Sequence, residues 1–321
     1  MRVLATIHMA PPSHNAGSEL MIHTMLRWLA ERGHDARALV GRGEDRTYQG
    51  VQYTSTEGMR GRDADRVRTE LHQWADVVVT HLDHSRIAMR YAKRARKPLV
   101  HLVHNHLQLE ANLVSSKNCD LAVFNSRWLA ERVQWPHEQI IVRPPVWQDD
   151  YRTTPGDHVT LVNLTVTKGC EVFYELARRR REDRFLGVVG AYGHQIIRQI
   201  PNVEIGDHTG NMRDDVYART RVLLMPSDYE SWGRVAVEAL ASGIPVIAHP
   251  TEGLTESLGD AGIFCDRDDV DAWEAALKRL DDPDEYERVS KKCLARAEEL
   301  DRLSNEDLDV WEKALLRLVG Q

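Results

Sequence analysis

Short apolar runs alternate with longer amphipathic segments along the first half of the chain. Residues 3–7 form an apolar run, a Pro-, Ser- and Gly-containing loop follows, and the next segment repeats apolar positions every three to four residues up to Arg32. This alternation predicts a parallel sheet with helices on both faces. Further strands are predicted at 36–40, 77–80, 99–103, 121–124 and 140–142, with helices at 62–73, 85–95 and through residue 133.

The second half repeats the alternation after a stiff segment, Arg143-Pro144-Pro145. Strands are predicted at 158–164, 185–189, 203–205 and 222–225, and helices at 169–178, 213–220, 270–280, 285–300 and 303–318. We therefore predict an α/β chain with two doubly wound, Rossmann-like domains at residues 1–150 and 151–303. The C-terminal helix, residues 304–321, could pack back on the first domain.

One stretch, residues 228–247, carries two acids around a predicted helix start. Glu230 and Glu238 bracket the start, and Gly233 leaves backbone N–H groups able to face an anion. Eight helical positions span roughly 12 Å, whereas a glycosidase acid pair lies about 5–9.5 Å apart. The spacing favours contacts at opposite ends of an extended, phosphate-bearing ligand. The alternative is a surface acid in a loop and a second acid on a helix flank.

Length and charge narrow the choice of function. The chain has 321 residues and a net charge of -7, which fits two domains and gives no support for broad nucleic-acid binding. The basic block at residues 178–181 closes a predicted helix and is followed by Glu182 and Asp183, so we interpret it as a solvated helix end. The first half shows little of the basic face that a lipid acceptor would need, and no basic stripe for DNA.

Cysteine usage and apolar run lengths predict the compartment. The four cysteines form no Cys-x-x-Cys pair, which is typical of a reducing compartment. No apolar run approaches the ~18 residues of a membrane span, and the N-terminal run is short for a signal peptide. We expect a cytoplasmic protein without stable membrane insertion. The cysteines are Cys119, Cys170, Cys265 and Cys293.

Several residues that could bind or act on a ligand lie where predicted strands end. Lys168 lies at a strand-to-helix junction, where a cation is misplaced unless an anion sits beside the helix N-terminus. His101, His104 and His106 lie at the end of the strand predicted at 99–103, but no Cys or carboxylate with ligand spacing accompanies them. A polar contact from His104 to a substrate is favoured over zinc, with a packed structural histidine as the alternative. Fingerprints for dinucleotides and the P-loop are missing.

With these residues in place, the second half resembles the retaining glycosyltransferases of family 4, called glycosyl transferases group 1, which have the GT-B fold. The resemblance is strong over residues 159–266. In the first half Gly17, His104 and residues 124–126 agree with it. The motifs that carry it are Lys168-Gly169, residues 222–227, Glu230-Ser231-Trp232-Gly233, residues 238–247, Gly253-Leu254 with Glu256, and residues 259–262.

The resemblance implies two doubly wound domains that face each other across a cleft, and it assigns roles residue by residue. His104 would contact the sugar near the reacting carbon, Glu230 would lie beside the transferred sugar, and Lys168 would neutralise the diphosphate. Asn163 stands where the family usually has an Arg, and an amide cannot replace a bidentate cation. Donor contacts are implied for Gly17, Lys168, Asn163, Ser231, Gly233, Arg234, Val235 and Glu238.

The implied activity is transfer of a hexose from a UDP- or GDP-linked sugar to a hydroxyl acceptor, with retention and with no metal or other cofactor. The acceptor class stays open among a lipid, a small metabolite, a glycan and a hydroxylated base in phage-type DNA, so nucleic acid is expected only as substrate. Two alternatives remain: a non-catalytic nucleotide-sugar-binding protein, which Asn163 keeps open, and a sugar-nucleotide epimerase of the same fold.

Overall fold

The computed structural model describes residues 1–106, 119–133, 135 and 138–320, and it divides into two compact units. Unit 1 is Met1–Pro145 together with the chain from Ser304 onward, and unit 2 is Val146–Leu303. Each unit is built around one sheet. The first domain was predicted to end at residue 150, and in the structure unit 2 begins at Val146.

Unit 1 contains an eight-stranded sheet in the order β3-β4-β2-β1-β5-β6-β7-β8. All neighbouring strands are parallel except β3 and β4. The core strands are continuous apolar runs because helices cover both faces of such a sheet. The elements are β1 (Arg2–Ile7), α1 (Gly17–Glu31), β2 (Asp35–Val40), β3 (Arg46–Tyr48), β4 (Val51–Ser55), α2 (Arg62–Trp74), β5 (Val77–His81), α3 (Ser85–Ala95), β6 (Leu99–Val103), β7 (Leu121–Phe124), α4 (Arg127–Val133) and β8 (Gln139–Ile141).

Unit 2 contains a six-stranded, all-parallel sheet in the order β11-β10-β9-β12-β13-β14. The last helix, α11, continues into unit 1 beyond Leu303. The elements are α5 (Gln148–Tyr151), β9 (His158–Val162), α6 (Cys170–Arg179), β10 (Arg184–Val188), β11 (Val203–Gly206), α7 (Met212–Asp215), β12 (Thr220–Met225), α8 (Arg234–Leu240), β13 (Val246–Ala248), α9 (Glu252–Leu258), β14 (Gly262–Phe264), α10 (Val270–Arg279) and α11 (Pro283–Leu318).

Each sheet has a topological switch point, where consecutive connections leave in opposite directions. In unit 1 the chain winds outward from β1 to β2 and β4, then returns to place β5 on the other side of β1. In unit 2 it winds from β9 to β10 and β11, then returns to place β12 beside β9. Ligands of open parallel sheets bind beyond the carboxyl ends of the strands at such points. The loops after β1, β5, β9 and β12 are therefore the first places to look for a site.

Three predicted helices differ in extent from those in the structure. The helix predicted at 213–220 is replaced by α7 and a 3₁₀ turn, Tyr217–Arg219, because Thr220 already begins β12. The helices predicted at 285–300 and 303–318 form the single helix α11. No Gly or Pro lies between them, so nothing in the covalent backbone stops the helix.

The hairpin of β3 and β4 was missed by the sequence analysis. Its two central residues, Gln49 and Gly50, both have positive φ, at 47° and 79°. Tyr48 pairs with Val51 across the turn. Positive φ at both central positions is the requirement of a type I′ turn, which Gln-Gly signals less clearly than Asn-Gly.

Two further observations concern the cysteines and the apolar character of the helices. All four cysteines are free thiols buried inside the two units. Within the parts of the chain that the structure describes, no helix has both the length and the apolar character needed to cross a membrane.

The surface cations depart from the sequence expectation in one place. Residues 86–97 include six Lys or Arg and no Asp or Glu. Arg86, Arg90 and Lys93 are exposed on one side of α3, at spacings of four and three residues. The expectation of no basic stripe therefore does not hold for this helix, because cations four and three residues apart share one side of a helix.

Candidate functional site

The loops that follow β9 and β12 meet at the switch point of unit 2. The backbone N–H of Asp228 donates to the carbonyl of Thr167 at 3.0 Å, which joins the two loops directly. Gly169 has φ of 80°, and a Cβ there would lie 2.4 Å from the carbonyl oxygen of Pro226. Only glycine allows this approach, so the position after Lys168 is constrained by the loop contact.

Lys168 and Glu230 project from these two loops and contact each other. The Lys168 ammonium donates to Glu230 Oε1, and Ser227 Oγ donates to the same oxygen at 2.9 Å. The Lys168 side chain is 30% exposed and that of Glu230 is 14% exposed. The structure therefore brings together the two predicted residues 62 positions apart, with the cation open to solvent on one side.

Glu238 lies in α8 and is buried, and both of its carboxylate oxygens accept protein hydrogen bonds. Arg234 Nε donates to Oε1 at 2.7 Å, and the Tyr217 hydroxyl donates to Oε2 at 2.7 Å. The Arg234 side chain, 7% exposed, also donates to the Tyr151 hydroxyl at 3.0 Å. Two predicted donor contacts are thus partners of each other in a buried cluster that includes two tyrosines not singled out from sequence.

Burial fixes the protonation of that cluster. Removal from water raises the pKa of Tyr151 to about 12 and that of Tyr217 well above its usual value, with the nearby Glu238 charge adding to both shifts. Both hydroxyls therefore keep their protons at neutral pH. The pKa of Arg234 is raised, because its two hydrogen-bonded neighbours outweigh the effect of desolvation. The cluster is a charge-assisted network with one cation and one anion.

Gly233 stands at the entry to α8 and is confined by α9. Its φ is 79°, and a Cβ there would meet the side chain of Leu254 at 2.4 Å. A Cβ on Gly253 would in turn lie 2.3 Å from the carbonyl oxygen of Glu230 and 2.4 Å from the carbonyl carbon of Ser231. The loop 230–233 and the start of α9 are therefore packed backbone against backbone. Val235 follows in the first turn of α8, where its carbonyl accepts from the Tyr217 hydroxyl at 3.3 Å.

Asn163, the departure from the family pattern, has φ of 74° and is held by Gln195. Gln195 Nε2 donates to Asn163 Oδ1 at 3.0 Å, while Gln195 Oε1 accepts from the N–H groups of Leu164 at 2.8 Å and Gly190 at 3.0 Å. A Cβ on Gly190 would lie 2.3 Å from Asn163 Cγ. Gln195 thus ties the loop after β9 to the loop after β10, a role that no sequence pattern indicated.

A second cation also contacts these loops. Arg267, after β14, donates to the carbonyl of Val166 and pairs with the Asp228 carboxylate at 3.3 Å. Its backbone N–H donates to His249 Nδ1 at 3.1 Å. Sequence analysis missed Arg267 because it lies almost one hundred residues from Lys168 and in no recognised motif.

The carboxyl edge of unit 1 carries a pair of histidines. His81, at the end of β5, and His104, after β6, share a hydrogen bond of 3.0 Å between Nδ1 of His81 and Nε2 of His104. The Asn125 side chain donates to the carbonyl of His104 at 3.2 Å. Burial lowers the pKa of His81 to about 3 and lowers the pKa of His104 well below its usual value. Both imidazoles are therefore neutral at pH 7, so each offers one donor and one acceptor.

The three histidines considered for zinc have separate neighbours. His101 Nδ1 lies 3.2 Å from Ser85 Oγ, and burial lowers its pKa to about 4. The ring of His106 stands edge-on to Trp128, 5.7 Å between centroids. Across the described ranges, no group of three His, Cys, Asp or Glu side chains is arranged to hold a metal ion.

Gly17 is the first residue of α1, after β1 in unit 1. It is exposed, and a Cβ there would have no heavy atom within 4 Å. In the same turn Ser18 Oγ donates to Glu19 Oε2 at 2.6 Å. Among the residues of unit 1 that the structure describes, none requires a glycine at this position, so the predicted phosphate contact stays a prediction.

Part of unit 2 is similar to a known family. Residues 153–294 match the model described as glycosyl transferases group 1. O-antigen chain mannosyltransferase B of Escherichia coli is 38% identical over 85 residues, which are 26% of this chain and 22% of that protein. Glycogen synthase of Mycobacterium tuberculosis is 33% identical over 106 residues, 32% of this chain and 25% of that protein. The chain thus matches no more than about a quarter of the length of these curated relatives.

Solved structures match over nearly the whole chain. HepE (Alr3699) of Anabaena, in complex with UDP-glucose, has a TM-score of 0.80 at 15% identity and covers 98% of this chain and 100% of its own. Sucrose-phosphate synthase of Thermosynechococcus elongatus has a TM-score of 0.78 at 15% identity, with 99% and 100% covered. The predicted α/β fold class, that of the GT-B glycosyltransferases, is confirmed. Residues 153–294, less than half of the chain, are thus similar to the glycosyl transferases group 1 family.

Proposed function

We propose that this protein is a retaining, metal-independent glycosyltransferase that moves a hexose from a UDP- or GDP-linked sugar to a hydroxyl acceptor. The observation that carries the proposal is the contact between Lys168 and Glu230 at the switch point of unit 2, within the segment that matches the family. HepE, a structural neighbour, is described in complex with UDP-glucose, which supports a nucleotide-sugar donor.

Lys168 would act on the charge that develops during transfer. A solvent-reachable ammonium next to a helix N-terminus attracts a diphosphate, and exchange of its present partner, Glu230 Oε1, for a phosphate oxygen costs little in a partly exposed site. As the bond from the sugar to the phosphate oxygen breaks, negative charge grows on that oxygen, and a fixed cation stabilises it. The freed carboxylate of Glu230 then accepts hydrogen bonds from hydroxyl groups of the transferred sugar.

The transfer itself needs no covalent enzyme intermediate. The acceptor oxygen forms its bond to the anomeric carbon on the face from which the diphosphate departs, and the acceptor proton goes to the departing phosphate oxygen. This route balances charge without a general base from the protein. The chain's contribution is orientation of the substrates and exclusion of water.

His104 would contact a hydroxyl of the transferred sugar as a neutral imidazole. Its hydrogen bond with His81 orients the ring, and burial keeps both rings uncharged at working pH. A neutral imidazole is suited to a sugar hydroxyl, which is itself both donor and acceptor.

A second candidate, a nucleotide-sugar-binding protein without transferase activity, is favoured by two observations. Asn163 supplies no charge where the family has an Arg and is engaged by Gln195. Glu238, the implied ribose contact, already accepts bonds from Arg234 and Tyr217. Both features would weaken turnover or donor affinity relative to the family pattern.

A thermal-shift panel of UDP-, GDP- and ADP-linked hexoses tests the donor. A donor present at about 100 times its Kd stabilises the native state by about 2.7 kcal/mol, which raises the melting temperature measurably. One base and one sugar should stand out. Nuclear magnetic resonance of the product then reports the anomeric configuration: release or transfer of the retained anomer supports a transferase. Binding without any turnover would favour the second candidate, and no shift with any sugar nucleotide would contradict both.

A further inference from the structure

The basic block of unit 2 and the cations of α3 in unit 1 differ in their acidic partners. Arg179 contacts Glu175, Asp271 and Glu274, and Arg180 contacts Asp183 and Asp281. These acids neutralise the two central arginines of the run. The most basic segment in sequence is therefore not a basic surface in the structure.

Three of the four cations on α3 differ in this respect. Arg86, Arg90 and Lys93 are exposed, and among the residues that the structure describes none of them forms an ion pair. Arg94, on the flank, lies 3.5 Å from Asp65, and both side chains are more than half exposed. We call Arg86, Arg90 and Lys93 the α3 cationic face.

Helix electrostatics does not account for the whole face. Cations in the last turn of a helix are stabilised by its dipole, which suffices for Lys93 and Arg94. Arg86 lies in the first turn, where a cation is disfavoured, and that turn has no acid. Arg90 lies between the two ends. A surface role explains these two positions where local stability does not.

We propose that the α3 cationic face docks the phosphodiester backbone of double-stranded nucleic acid. The three cations follow one another at rises of ~6 and ~4.5 Å along a helix that packing already holds in place. A row of fixed positive charges on a rigid element is complementary to the regular row of phosphates along a duplex. The net charge of -7 lies mostly on other surfaces, and salt screens charges beyond about 10 Å.

Two other polyanionic partners, an anionic membrane and single-stranded nucleic acid, fit the α3 cationic face less well than a duplex does. A helix that lies in a membrane interface needs an exposed apolar side. No apolar residue of α3 is exposed: Ala88, Tyr91 and Ala92 are buried, and Ile87, Met89 and Ala95 are half-buried. Single-stranded nucleic acid is held by exposed aromatic rings on which bases stack, and the one aromatic residue of α3, Tyr91, is 5% exposed. A duplex needs neither feature, since phosphate contacts alone bind it.

Docking is independent of the proposed transferase activity, and its test uses no sugar nucleotide. It would, however, supply a binding surface for one acceptor class left open by the sequence, a hydroxylated base in DNA. Failure of docking would leave the donor assignment untouched, and failure of donor binding would leave docking untouched.

The test measures fluorescence anisotropy of a labelled duplex of about 20 base pairs with the full chain, at salt from about 50 to about 200 mM. Three phosphate contacts predict a fall in affinity of about 40-fold over that range. The charge-reversal variant Arg86→Glu/Arg90→Glu/Lys93→Glu should bind at least about 10-fold more weakly at the lowest salt and with a shallower salt slope. The neutral variant with Gln at the same positions should fall between the two.

The matched control reverses the charge of three exposed lysines outside α3, as Lys278→Glu/Lys292→Glu/Lys313→Glu. It changes the net charge by the same amount. It should bind within about twofold of the wild type if the local row and not total charge matters. Circular dichroism verifies folding of each variant. The proposal is overturned if the wild type does not bind the duplex, if the reversed and neutral variants bind as the wild type does, if single strands compete better than duplexes, or if vesicles with anionic lipid are bound in place of DNA.

Discussion

The carboxyl edges of the two sheets carry opposite chemistry. In unit 1 the edge presents the buried pair His81 and His104, and His101 lies in the middle of β6. All three are neutral at pH 7 because burial lowers the pKa of each. In unit 2 the edge presents charges, with Lys168 on Glu230 and Arg267 on Asp228. Both sheets have the same doubly wound topology, so the fold leaves the chemistry of each edge free to differ.

This difference suits two kinds of ligand. Neutral imidazoles match uncharged hydroxyls, whereas cations that can exchange a carboxylate for a phosphate match a diphosphate. Within unit 2 the charges differ again, since the Lys168 pair is partly exposed and the pair of Arg234 and Glu238 is buried. The two pairs therefore differ in what their separation costs. A partly exposed pair can release its cation to a ligand, whereas separation of a buried pair leaves a charge unpaired away from water.

The largest expected effect is on stability and follows from the buried pair. Glu238→Ala leaves the Arg234 guanidinium and the Tyr217 hydroxyl buried without their carboxylate, so we expect a loss of about 3–5 kcal/mol in the free energy of unfolding. Urea unfolding followed by circular dichroism measures it. Glu230→Ala, which breaks the partly exposed pair, should cost less than about 1 kcal/mol.

A double variant separates charge from packing in that prediction. Arg234→Met/Glu238→Leu removes both charges and keeps apolar volume, so it should recover most of the stability lost in Glu238→Ala. Equal stability of Glu238→Ala and Glu230→Ala would show that the burial of the two pairs does not differ in effect, and would remove the distinction drawn within unit 2.

The next effect is on turnover. Lys168→Ala removes the reachable cation of unit 2, and loss of one electrostatic contact to the developing charge typically lowers the rate about 100-fold. Single-turnover measurement with the donor found by thermal shift checks it, with Lys168→Arg as the charge-preserving control. Because the ion pair is partly exposed, we expect less than about 1 kcal/mol change in stability. An unchanged rate would remove Lys168 from the mechanism.

Local sequence patterns predicted most helices and strands. Most of the features that they did not predict depend on contacts between residues far apart in the sequence. Helix α3 falls at the predicted residues, since its apolar period and its flanks are visible in sequence. The pairing of Lys168 with Glu230 could be anticipated only through the switch-point rule, which brings the loops after β9 and β12 together. The engagement of Glu238 by Tyr217 depends on packing between α8 and a 3₁₀ turn, which carries no sequence period.

The histidines of unit 1 predict a smaller, pH-dependent effect. The unfolded chain protonates His near pH 6.5, whereas the folded pKa is about 3 for His81 and about 4 for His101. Between these values the unfolded state binds more protons, so stability falls as pH drops, by about 1 kcal/mol for each of the two between pH 6.5 and 5.5. Above about pH 7.5 neither contributes.

Urea unfolding at three pH values across that window measures the loss, and His101→Gln should reduce it by about 1 kcal/mol. Carboxyl groups with ordinary pKa values stay ionised in both states across this window, since their unfolded pKa values lie near 4. Protonation of His81 or His101 in the folded state near pH 6.5, seen by nuclear magnetic resonance, would contradict the neutral edge of unit 1.

The smallest expected effect tests whether the charged edge of unit 2 depends on its uncharged support. Gln195→Ala removes the bridge between the loops after β9 and β10, and loss of neutral hydrogen bonds in a half-buried place should cost about 1 kcal/mol. Donor affinity should fall only a few-fold, because Lys168 is held separately by its contact with Glu230. Its exposed neighbour provides the control, His194→Ala, with no expected change in either quantity. If Gln195→Ala slowed single-turnover transfer as much as Lys168→Ala does, the bridge, and not the ion pair, would position the cation.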